Sequence, residues 1–348
     1  MSSSSSGSRI TLSEVARAAG VSVMTASYTY STPSRVSAAS REKVLTAAQV
    51  LGYPGPDPSA RSLRRGTSGA LGVVLGESLP YAFDDPQATQ FLAGIADVCA
   101  GHGLAMTILP TNGSAEDAQR IRAAAVDGFV VWTTTEDDPV LDALALTGRP
   151  VTIHGGPQRN QFGLVGIEDR AAARAVAEAG LRQSRSPAIV SFPFSKARVE
   201  TLVLGPDPAA ATFPVTRNRL LGFQDAITAA GFHWNQIPVA ACSTNSAAES
   251  ARAAGRLLGS GDRPDVILTM SDEQARGVLD AAAQAGIPIP AGLAVTGWDA
   301  SDTAQDCRLT TIEQDLRGQG AACAEAVITG NPTVQPQPWR LITGRTTR

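Results

Sequence analysis

Residues 11–27 read TLSEVARAAGVSVMTAS, and this stretch predicts two short helices joined by a tight turn. Thr11 and Glu14 have the spacing of a capping box, in which the hydroxyl accepts a backbone N–H and the carboxylate returns to the N–H of the cap. Gly20 is expected to end the first helix, because glycine tolerates the left-handed conformation that follows many helices. Ser22 is a good N-cap for the second helix.

A third helix is predicted from about Ser37 to Gly52, after a break at Thr32-Pro33-Ser34. Two helices joined by a glycine turn and covered by a third form a helix-turn-helix unit. Such a unit places its second helix in the major groove of DNA, with the early residues at the base edges. A small helical bundle without any nucleic-acid role would show the same pattern and stays the alternative.

Charge is distributed unevenly along the chain. Residues 9–66 contain eight basic and three acidic side chains, a balance of +5, whereas the whole chain carries −3. The rest of the chain therefore carries −8. A basic head on an acidic body favours a polyanion-binding module joined to a second unit, although a solvated basic surface would give the same balance.

Beyond residue 69, short apolar runs alternate with Ala-rich stretches of helical periodicity. Strands are predicted at 70–75, 106–109, 128–132, 150–153, 188–191, 266–269 and 293–296, and helices at about 86–101, 115–126, 169–183, 217–231, 246–259 and 272–286. This alternation is typical of parallel sheets with helices on both faces. The expected fold is an all-α head followed by two α/β lobes, with a ligand cleft at the carboxyl ends of the strands.

Composition and motifs disfavour several classes of protein. The 348 residues are 43% hydrophobic and contain no apolar run of about 18 residues, so no transmembrane helix is expected. The start, MSSSSSG, lacks the regions of a secretory signal, and the four cysteines form no C-x-x-C pair, which fits a reducing compartment. No P-loop, G-x-S-x-G or H-E-x-x-H motif is present. The expectation is a protein that is not an enzyme and needs no cofactor or metal.

Residues 11–27 closely resemble the N-terminal signature of the lactose-repressor/galactose-repressor family of transcription regulators. Residues 36–37, 41–44 and 51–53 are similar to that family's third helix. The resemblance is specific because the first run is long and ungapped. It implies that the basic head binds operator DNA.

The resemblance implies DNA contacts from the second helix. Val23 and Met24 would touch base edges, while Thr25 and Ser27 would hold phosphates. Tyr28 stands where the family usually has arginine, which can donate two hydrogen bonds to guanine; the alternative for the tyrosine is packing against the sugar-phosphate backbone. The complete predicted DNA-binding set is Thr11, Ser22, Val23, Met24, Thr25, Ser27, Tyr28, Ala60, Leu63 and Arg64.

A connector is predicted after the head. The run PGPDP at 54–58 cannot continue a helix, whereas residues 59–66 can form a short one. In the family this segment folds on DNA and wedges a leucine into the minor groove; Leu63 matches that leucine, and a plain linker is the alternative. The predicted boundaries are a disordered tail at 1–8, the helix-turn-helix domain at 9–53, the hinge at 54–67 and the effector-binding domain at 68–348.

The larger part of the chain resembles the family's effector domain, which is related to periplasmic sugar-binding proteins. The segments that carry the resemblance are 126–128, 219–223, 271–272, 277–278, 297–299, 309–315, 340–341 and 345–347. The predicted effector-binding set is Tyr81, Asp85, His154, Arg219, Ser271, Asp272, Trp298 and Asp299. Structural roles stay open for three of these: a helix N-cap for Asp272, a structural histidine for His154 and core packing for Trp298.

These expectations describe a cytoplasmic DNA-binding transcriptional regulator, specifically a repressor, that is controlled by a small molecule. Because one helix-turn-helix reads only a half-site, a homodimer on a palindromic operator is expected. The effector is expected to be a sugar or sugar-like molecule bound between the two lobes, and its effect on DNA binding to be allosteric. The alternative is a solute-binding or sugar-processing α/β protein with an accessory helical head.

Overall fold

The computed structural model describes residues 10–55, 67–76, 79–332 and 336–348, except for the side chains of Pro80 and Tyr81. The chain forms two compact units, Met1–Ser68 and Gly69–Arg348. The predicted hinge and the N-terminal tail lie mostly outside the described residues. In the described part of the chain, no helix is long and apolar enough to cross a membrane.

The described part of the first unit contains three α-helices, α1 (Leu12–Ala19), α2 (Val23–Ser31) and α3 (Ala38–Leu51), with a 3₁₀ turn at Pro33–Arg35. The predicted capping box is present: Thr11 N–H donates to Glu14 Oε2 at 2.7 Å, and the Thr11 hydroxyl accepts from Glu14 N–H at 3.4 Å. Gly20 ends α1 at φ 65°, in the left-handed region that glycine was predicted to supply. Local sequence signals thus determine the turn between α1 and α2.

The three helices of the head pack around a small apolar centre. Its buried members are Val15, Ala16, Ala26, Val44 and Ala48. Since α2 contributes only its alanine to this group, its first turn is left on the surface. Small side chains at the contacts let the helices approach closely.

Among the described residues of the second unit there are twelve strands and ten further α-helices. The strands are β1 (Ala70–Leu75), β2 (Ala105–Pro110), β3 (Gly128–Trp132), β4 (Val151–His154), β5 (Gly163–Val165), β6 (Pro187–Ser191), β7 (Thr201–Leu204), β8 (Pro238–Ala241), β9 (Val266–Thr269), β10 (Ala294–Val295), β11 (Thr311–Gln314) and β12 (Trp339–Ile342). The helices are α4 (Leu79–Asp84), α5 (Pro86–His102), α6 (Ala115–Ala123), α7 (Pro139–Leu146), α8 (Asp169–Gly180), α9 (Pro214–Ala229), α10 (Ala247–Leu258), α11 (Asp272–Gln284), α12 (Asp302–Cys307) and α13 (Leu316–Thr329).

Two five-stranded sheets form the two lobes. The first sheet has the order β2-β1-β3-β4-β5, and all of its strand pairs are parallel. The second has the order β10-β9-β6-β8-β7, in which only the edge strand β7 is antiparallel to its neighbour. The predicted class, a helical head followed by two α/β lobes with parallel sheets, is confirmed.

Each sheet is covered by apolar side chains on both faces. In the first lobe, Phe129 and Ile153 are buried on one face, and Phe91 on the other. In the second lobe, Phe223 and Leu257 belong to the groups that cover opposite faces. Burial on both faces explains why these strands are continuous apolar runs rather than alternating patterns.

The chain passes between the lobes more than once. It leaves the first lobe after β5 to form α8, and it returns between β11 and α13, the helix that packs on α5. The C-terminal strand β12 then pairs antiparallel with β11. The elements β5, β7, β8, β11, β12, α4, α7, α12 and α13 were not predicted from the sequence.

Glycines bring α5 and α13 into close contact. A Cβ added at Gly94 of α5 would collide with the carbonyl oxygen of Arg317, and one added at Gly320 of α13 would collide with the carbonyl oxygen of Phe91. The two backbones therefore meet without an intervening side chain. Any substituent at either position must separate the helices.

Candidate functional site

The exposed first turn of α2 is the candidate DNA-reading surface. Ser22 caps the helix by accepting from Thr25 N–H at 3.0 Å. Val23 and Met24 follow, with exposed fractions of 49% and 65%. Two exposed apolar side chains at the start of a capped helix contribute nothing to the core, so they are free to contact base edges or thymine methyl groups.

The other predicted DNA-binding residues occupy varied positions. Thr25, Ser27 and Tyr28 are half-buried on α2, and the Arg35 guanidinium lies 5.7 Å from the centre of the Tyr28 ring. Thr11 is exposed, and its hydroxyl also contacts Glu14 Oε2. Ala60, Leu63 and Arg64 lie outside the described residues.

The second candidate site is a cleft at the carboxyl ends of the strands in both lobes. The first lobe contributes Asp85, Gln87, Trp132, Thr133, His154 and Leu316, and the second contributes Phe192, Pro193, Arg198, Phe213, Val215, Thr216, Arg219, Asn245, Asp299 and Gln314. Strand ends are where parallel α/β sheets bind ligands. Both aromatic rings and hydrogen-bonding groups line this cleft, as in sites for small polar molecules.

Arg219 of α9 is a rigid cation at the wall of the cleft. Its Nε–H donates to Asp169 Oδ1 at 2.8 Å, and its Nη1–H donates to the carbonyl oxygen of Met270 at 2.5 Å. The guanidinium lies 3.8 Å from the centre of a Trp298 ring and 5.5 Å from that of Phe192. These contacts orient the guanidinium before any ligand arrives.

Three predicted effector residues do not line the cleft. Trp298 is completely buried beneath Arg219, where it supports the guanidinium. Asp272 accepts from Ser301 N–H and from the hydroxyls of Ser301 and Thr311, each at 2.8 Å, so its carboxylate fastens the start of α11.

Ser271, the third of these residues, caps α11 and contacts Asn245 Oδ1 at 2.5 Å. It therefore supports a cleft residue without itself belonging to the wall. The side chain of Tyr81, a fourth predicted contact, lies outside the described residues. Asp85, His154, Arg219 and Asp299 do line the cleft.

Asp299 follows β10 with an unusual backbone. Its φ is 108°, in a region that side-chain-bearing residues rarely adopt. Its N–H donates to the carbonyl oxygen of Ile312 at 2.7 Å, which holds this conformation in place. Burial raises the pKa of the Asp299 carboxyl well above its usual range, while the nearby Arg219 favours the charged form. Backbone strain that is held in this way is common at binding sites.

His154 ends β4 and is packed between aromatic rings. Its imidazole is stacked on Trp132, with centres 5.0 Å apart and an interplanar angle of 17°, and it lies 4.8 Å from Phe91. Its Nε2 is 2.8 Å from Gln319 Oε1. Burial lowers the pKa of His154 to about 4; the hydrogen bond with Gln319 opposes this shift and the charge of Arg219 adds to it. His154 is therefore neutral at physiological pH.

This depressed pKa predicts a loss of stability in mild acid. An unfolded histidine binds a proton near pH 6.5, whereas folded His154 resists protonation until about pH 4. The unfolded state therefore binds more protons between these values, and stability falls as the pH drops. Between pH 7 and pH 5, the unfolding free energy of the wild type should fall by about 2 kcal/mol more than that of His154→Leu. Urea denaturation at the two pH values measures both changes.

Burial raises the pKa of Asp272 to about 6, which gives the unfolding free energy a pH dependence of opposite sign. Both proteins in the comparison retain Asp272, so this contribution cancels. Equal pH dependence in wild type and His154→Leu would contradict the assigned burial of the imidazole.

Three polar contacts join the lobes at the rim of the cleft, and we call them the rim contacts. Asn245 Nδ2–H donates to Asp85 Oδ2 at 3.1 Å. Lys196 Nζ lies 2.6 Å from Asp138 Oδ2, and Arg217 Nη2 lies 2.5 Å from Glu136 Oε1. In each pair the acidic residue belongs to the first lobe and its partner to the second. The rim contacts therefore link the two lobes directly.

Sequence reasoning missed most of the cleft wall. Trp132 ends β3, Phe192 follows β6 and Asn245 follows β8, so the strand-end rule could have found them. Asn245 was not identified as a cleft residue because β8 was not predicted. Gln314 stands in segment 309–315, which carries part of the family resemblance, but it was not predicted to contact the effector, since a single glutamine in a strand is common on solvated surfaces.

Comparison with known proteins places the chain in a family. Residues 11–55 match the family profile of bacterial regulatory proteins of the lacI family, and residues 199–347 match that of the periplasmic binding protein-like domain. An HTH-type transcriptional regulator of Mycobacterium tuberculosis is 33% identical over 347 residues, which cover 97% of both chains. The HTH-type transcriptional regulator IpsA of Corynebacterium glutamicum is 32% identical over 328 residues, covering 91% of this chain and 90% of IpsA.

Solved structures agree with this assignment. A LacI-family transcriptional regulator from Corynebacterium glutamicum superposes with a TM-score of 0.75 at 28% identity, covering 97% of this chain and 98% of that one. The lac repressor dimer bound to operator also has a TM-score of 0.75, at 22% identity, with 98% and 99% of the two chains covered, and shares the fold. The chain described here belongs to the LacI family and is a DNA-binding transcriptional regulator.

Proposed function

We propose that this regulator is a cytoplasmic repressor whose hold on operator DNA is controlled by a neutral sugar or sugar-like effector in the cleft. The observation that carries the proposal is the cleft lined by residues of both lobes, with a prepositioned Arg219 on its wall. Such a cleft recognises a ligand by fixed donors and acceptors. A binding role is proposed for it, without catalysis.

The lining of the cleft supports a polyhydroxylated effector. Arg219 offers N–H donors, while Asp85 and Asp299 offer acceptors from opposite lobes. Trp132 and Phe192 add flat apolar surfaces of the kind that sugar rings pack against. Related folds have been solved as a CelR–cellobiose complex and as a LacI-family regulator with bound ribose, which adds support for a sugar.

The DNA-binding form is proposed to be a homodimer on a palindromic operator. One head reads a half-site, so two-fold symmetry doubles the contacted sequence. The lac repressor, which shares the fold, has been solved as a dimer bound to its operator. In the proposed boundaries, residues 9–53 read the operator, residues 54–67 form the hinge with Leu63 at the minor groove, and residues 68–348 bind the effector.

The proposed coupling joins the cleft to the head through the arrangement of the two lobes. An effector that binds one arrangement more tightly shifts the population toward it. Because this is a coupling between two binding equilibria, operator DNA must change effector affinity by the same factor as the effector changes operator affinity.

Two measurements test the proposal together. Operator fragments selected from random DNA by the purified full-length protein should contain an inverted repeat and give a salt-resistant band in a gel shift. A thermal-shift screen against sugars, cyclic polyols and purines should show a sugar or polyol that raises the unfolding temperature and changes that band. A specific band that no sugar or polyol alters, combined with a hit among purines, would contradict the proposed effector class.

The exposed valines of the head provide a matched test of DNA reading. Val23→Ala at the start of α2 should weaken binding to the selected operator by roughly tenfold, because it removes apolar contact with a base edge. Binding to unrelated DNA should be unchanged. Val50→Ala, at a position on α3 that is 80% exposed, should leave both affinities unchanged. If the two substitutions changed operator affinity equally, the start of α2 would not be the surface that contacts the bases.

A further inference from the structure

One buried atom in the cleft has no hydrogen-bond partner. Nδ1 of His154 is shielded from solvent and contacts no donor or acceptor within the part of the chain that the structure describes. The same imidazole lines the cleft, and its other nitrogen contacts Gln319 at 2.8 Å. An unpaired buried nitrogen is costly, so a ligand is the natural source of its missing partner.

His154 is the end of a hydrogen-bond chain that starts in the other lobe. Gln314 Nε2–H donates to Asp299 Oδ1 at 2.7 Å, and Gln319 Nε2–H donates to Gln314 Oε1 at 3.1 Å. The link from Gln319 Oε1 to His154 Nε2 completes it. We call these four residues the glutamine relay. It crosses between the lobes where the chain itself crosses, between β11 and α13.

The glutamine relay has a direction because each glutamine has a donor at one end of its amide and an acceptor at the other. Asp299 Oδ1 accepts from the amino group of Gln314, and this contact sets the orientation of the Gln314 amide. The carbonyl oxygen of Gln314 then faces Gln319, and the carbonyl oxygen of Gln319 faces His154. The imidazole must therefore carry its proton on Nε2, which leaves Nδ1 as an acceptor.

We propose that the glutamine relay fixes the tautomer of His154, so that the neutral ring accepts one hydrogen bond through Nδ1 from a hydroxyl or N–H of the molecule in the cleft. Gln319 and Gln314 are positioning residues, and His154 is a specificity residue for the effector. This inference rests on the cleft being the effector site, as proposed above. It adds that the effector must carry a donor at the His154 position.

The surroundings of the ring favour this role. Trp132 stacks on one face of the imidazole, with ring centres 5.0 Å apart. The charged groups that share the cleft are Arg219, Arg198, Asp85 and Asp299. Arg219 disfavours a second proton on His154. A neutral acceptor is therefore kept beside the cationic donor Arg219, a pairing that suits neighbouring hydroxyls of one neutral ligand.

The tautomer can be read directly by nitrogen NMR of the histidine side chains in the full-length protein. The chain has three histidines, and His102 and His233 serve as internal controls. At pH 8, His154 should show a protonated Nε2 and an unprotonated Nδ1. In Gln319→Leu, which removes the last link of the glutamine relay, the signals of His154 should become those of mixed tautomers, while the two control histidines keep theirs.

A protonated Nδ1 in the wild type, or a tautomer that Gln319→Leu leaves unchanged, would overturn the proposal. Gln319→Glu provides a second variant of similar shape if the leucine variant does not fold. The carboxylate of this variant can also accept from His154 Nε2–H, so His154 should keep the wild-type tautomer. The comparison of the two variants then separates loss of the hydrogen bond from loss of packing.

A ligand experiment tests the specificity. D-ribose, cellobiose and a panel of cyclic polyols are titrated into wild type and Gln319→Leu by calorimetry. A sugar or polyol that binds the wild type should bind Gln319→Leu at least tenfold more weakly. One monodeoxy analogue of that compound should bind the wild type at least tenfold more weakly than the parent compound does, whereas the variant should bind analogue and parent with nearly the same affinity. Equal losses in both proteins would overturn the specificity role. If none of these compounds binds, the proposed effector class fails, whereas the NMR result still decides the tautomer.

Discussion

Replacing Arg219 by methionine is expected to lower the unfolding free energy by about 3–5 kcal/mol and to abolish the effector response. The Arg219 side chain is only 7% exposed, and its ion pair with Asp169 is buried at both ends. Removing the cation leaves Asp169 without its partner in a site where burial already raises the pKa of the carboxyl. An uncompensated buried carboxylate is among the most destabilising outcomes of a single substitution.

The partner substitution separates stability from binding. Asp169→Asn in the Arg219→Met background removes the unpaired charge, so most of the lost stability should return, as measured by urea denaturation at pH 7. The effector response should not return, because the donors of Arg219 are still missing. Arg174→Met, which removes an exposed arginine paired with Glu178 on α8, is the control and should change little. A full effector response in Arg219→Met would remove Arg219 from the site.

Gly94→Ala is expected to destabilise the protein by about 3 kcal/mol or more, because the new methyl group meets the backbone of α13. The obstacle is the carbonyl oxygen of Arg317, so no side-chain rotation can relieve it. The two helices must move apart, which also disturbs the packing of the first lobe. The effect is measured as a shift in the midpoint of urea denaturation.

The same helix contains its own control. Gly101 of α5 has open space where a Cβ would be added, and its backbone is helical. Gly101→Ala should therefore stabilise the protein by about 0.5–1 kcal/mol, since alanine favours the helix more than glycine does. One chemical change thus has opposite signs at two positions in α5. If Gly94→Ala and Gly101→Ala both stabilised the protein, α5 and α13 would pack less closely than described.

Features determined by neighbouring residues could be predicted from the sequence. The capping box at Thr11, the turn at Gly20 and the cap at Ser22 each depend on side chains within a few positions of one another. The long apolar strands were also predictable, because burial on both faces leaves a continuous signal. Strand β8, which reads PVAA, was missed because small residues in a short run have little hydrophobic contrast.

The cleft was only partly predictable because its geometry depends on distant contacts. His154 and Gln319 are 165 positions apart, and nothing in the sequence near either one indicates the other. Asp272 and Asp299 both follow strands, yet only Asp299 lines the cleft. Asp299 also has a positive φ, and single-sequence patterns do not predict such a conformation for an aspartate.

The rim contacts imply a limit on how quickly the protein responds to its effector. Wider separation of the lobes requires the rim contacts to break, so we expect the association rate of a ligand to depend on how often they break. The same contacts delay departure and lengthen residence. Two of the three are ion pairs, and dissolved salt weakens the more exposed pair, Arg217–Glu136, more than Lys196–Asp138, in which the aspartate is buried. We therefore expect the switching speed of this regulator to follow the ionic strength around it.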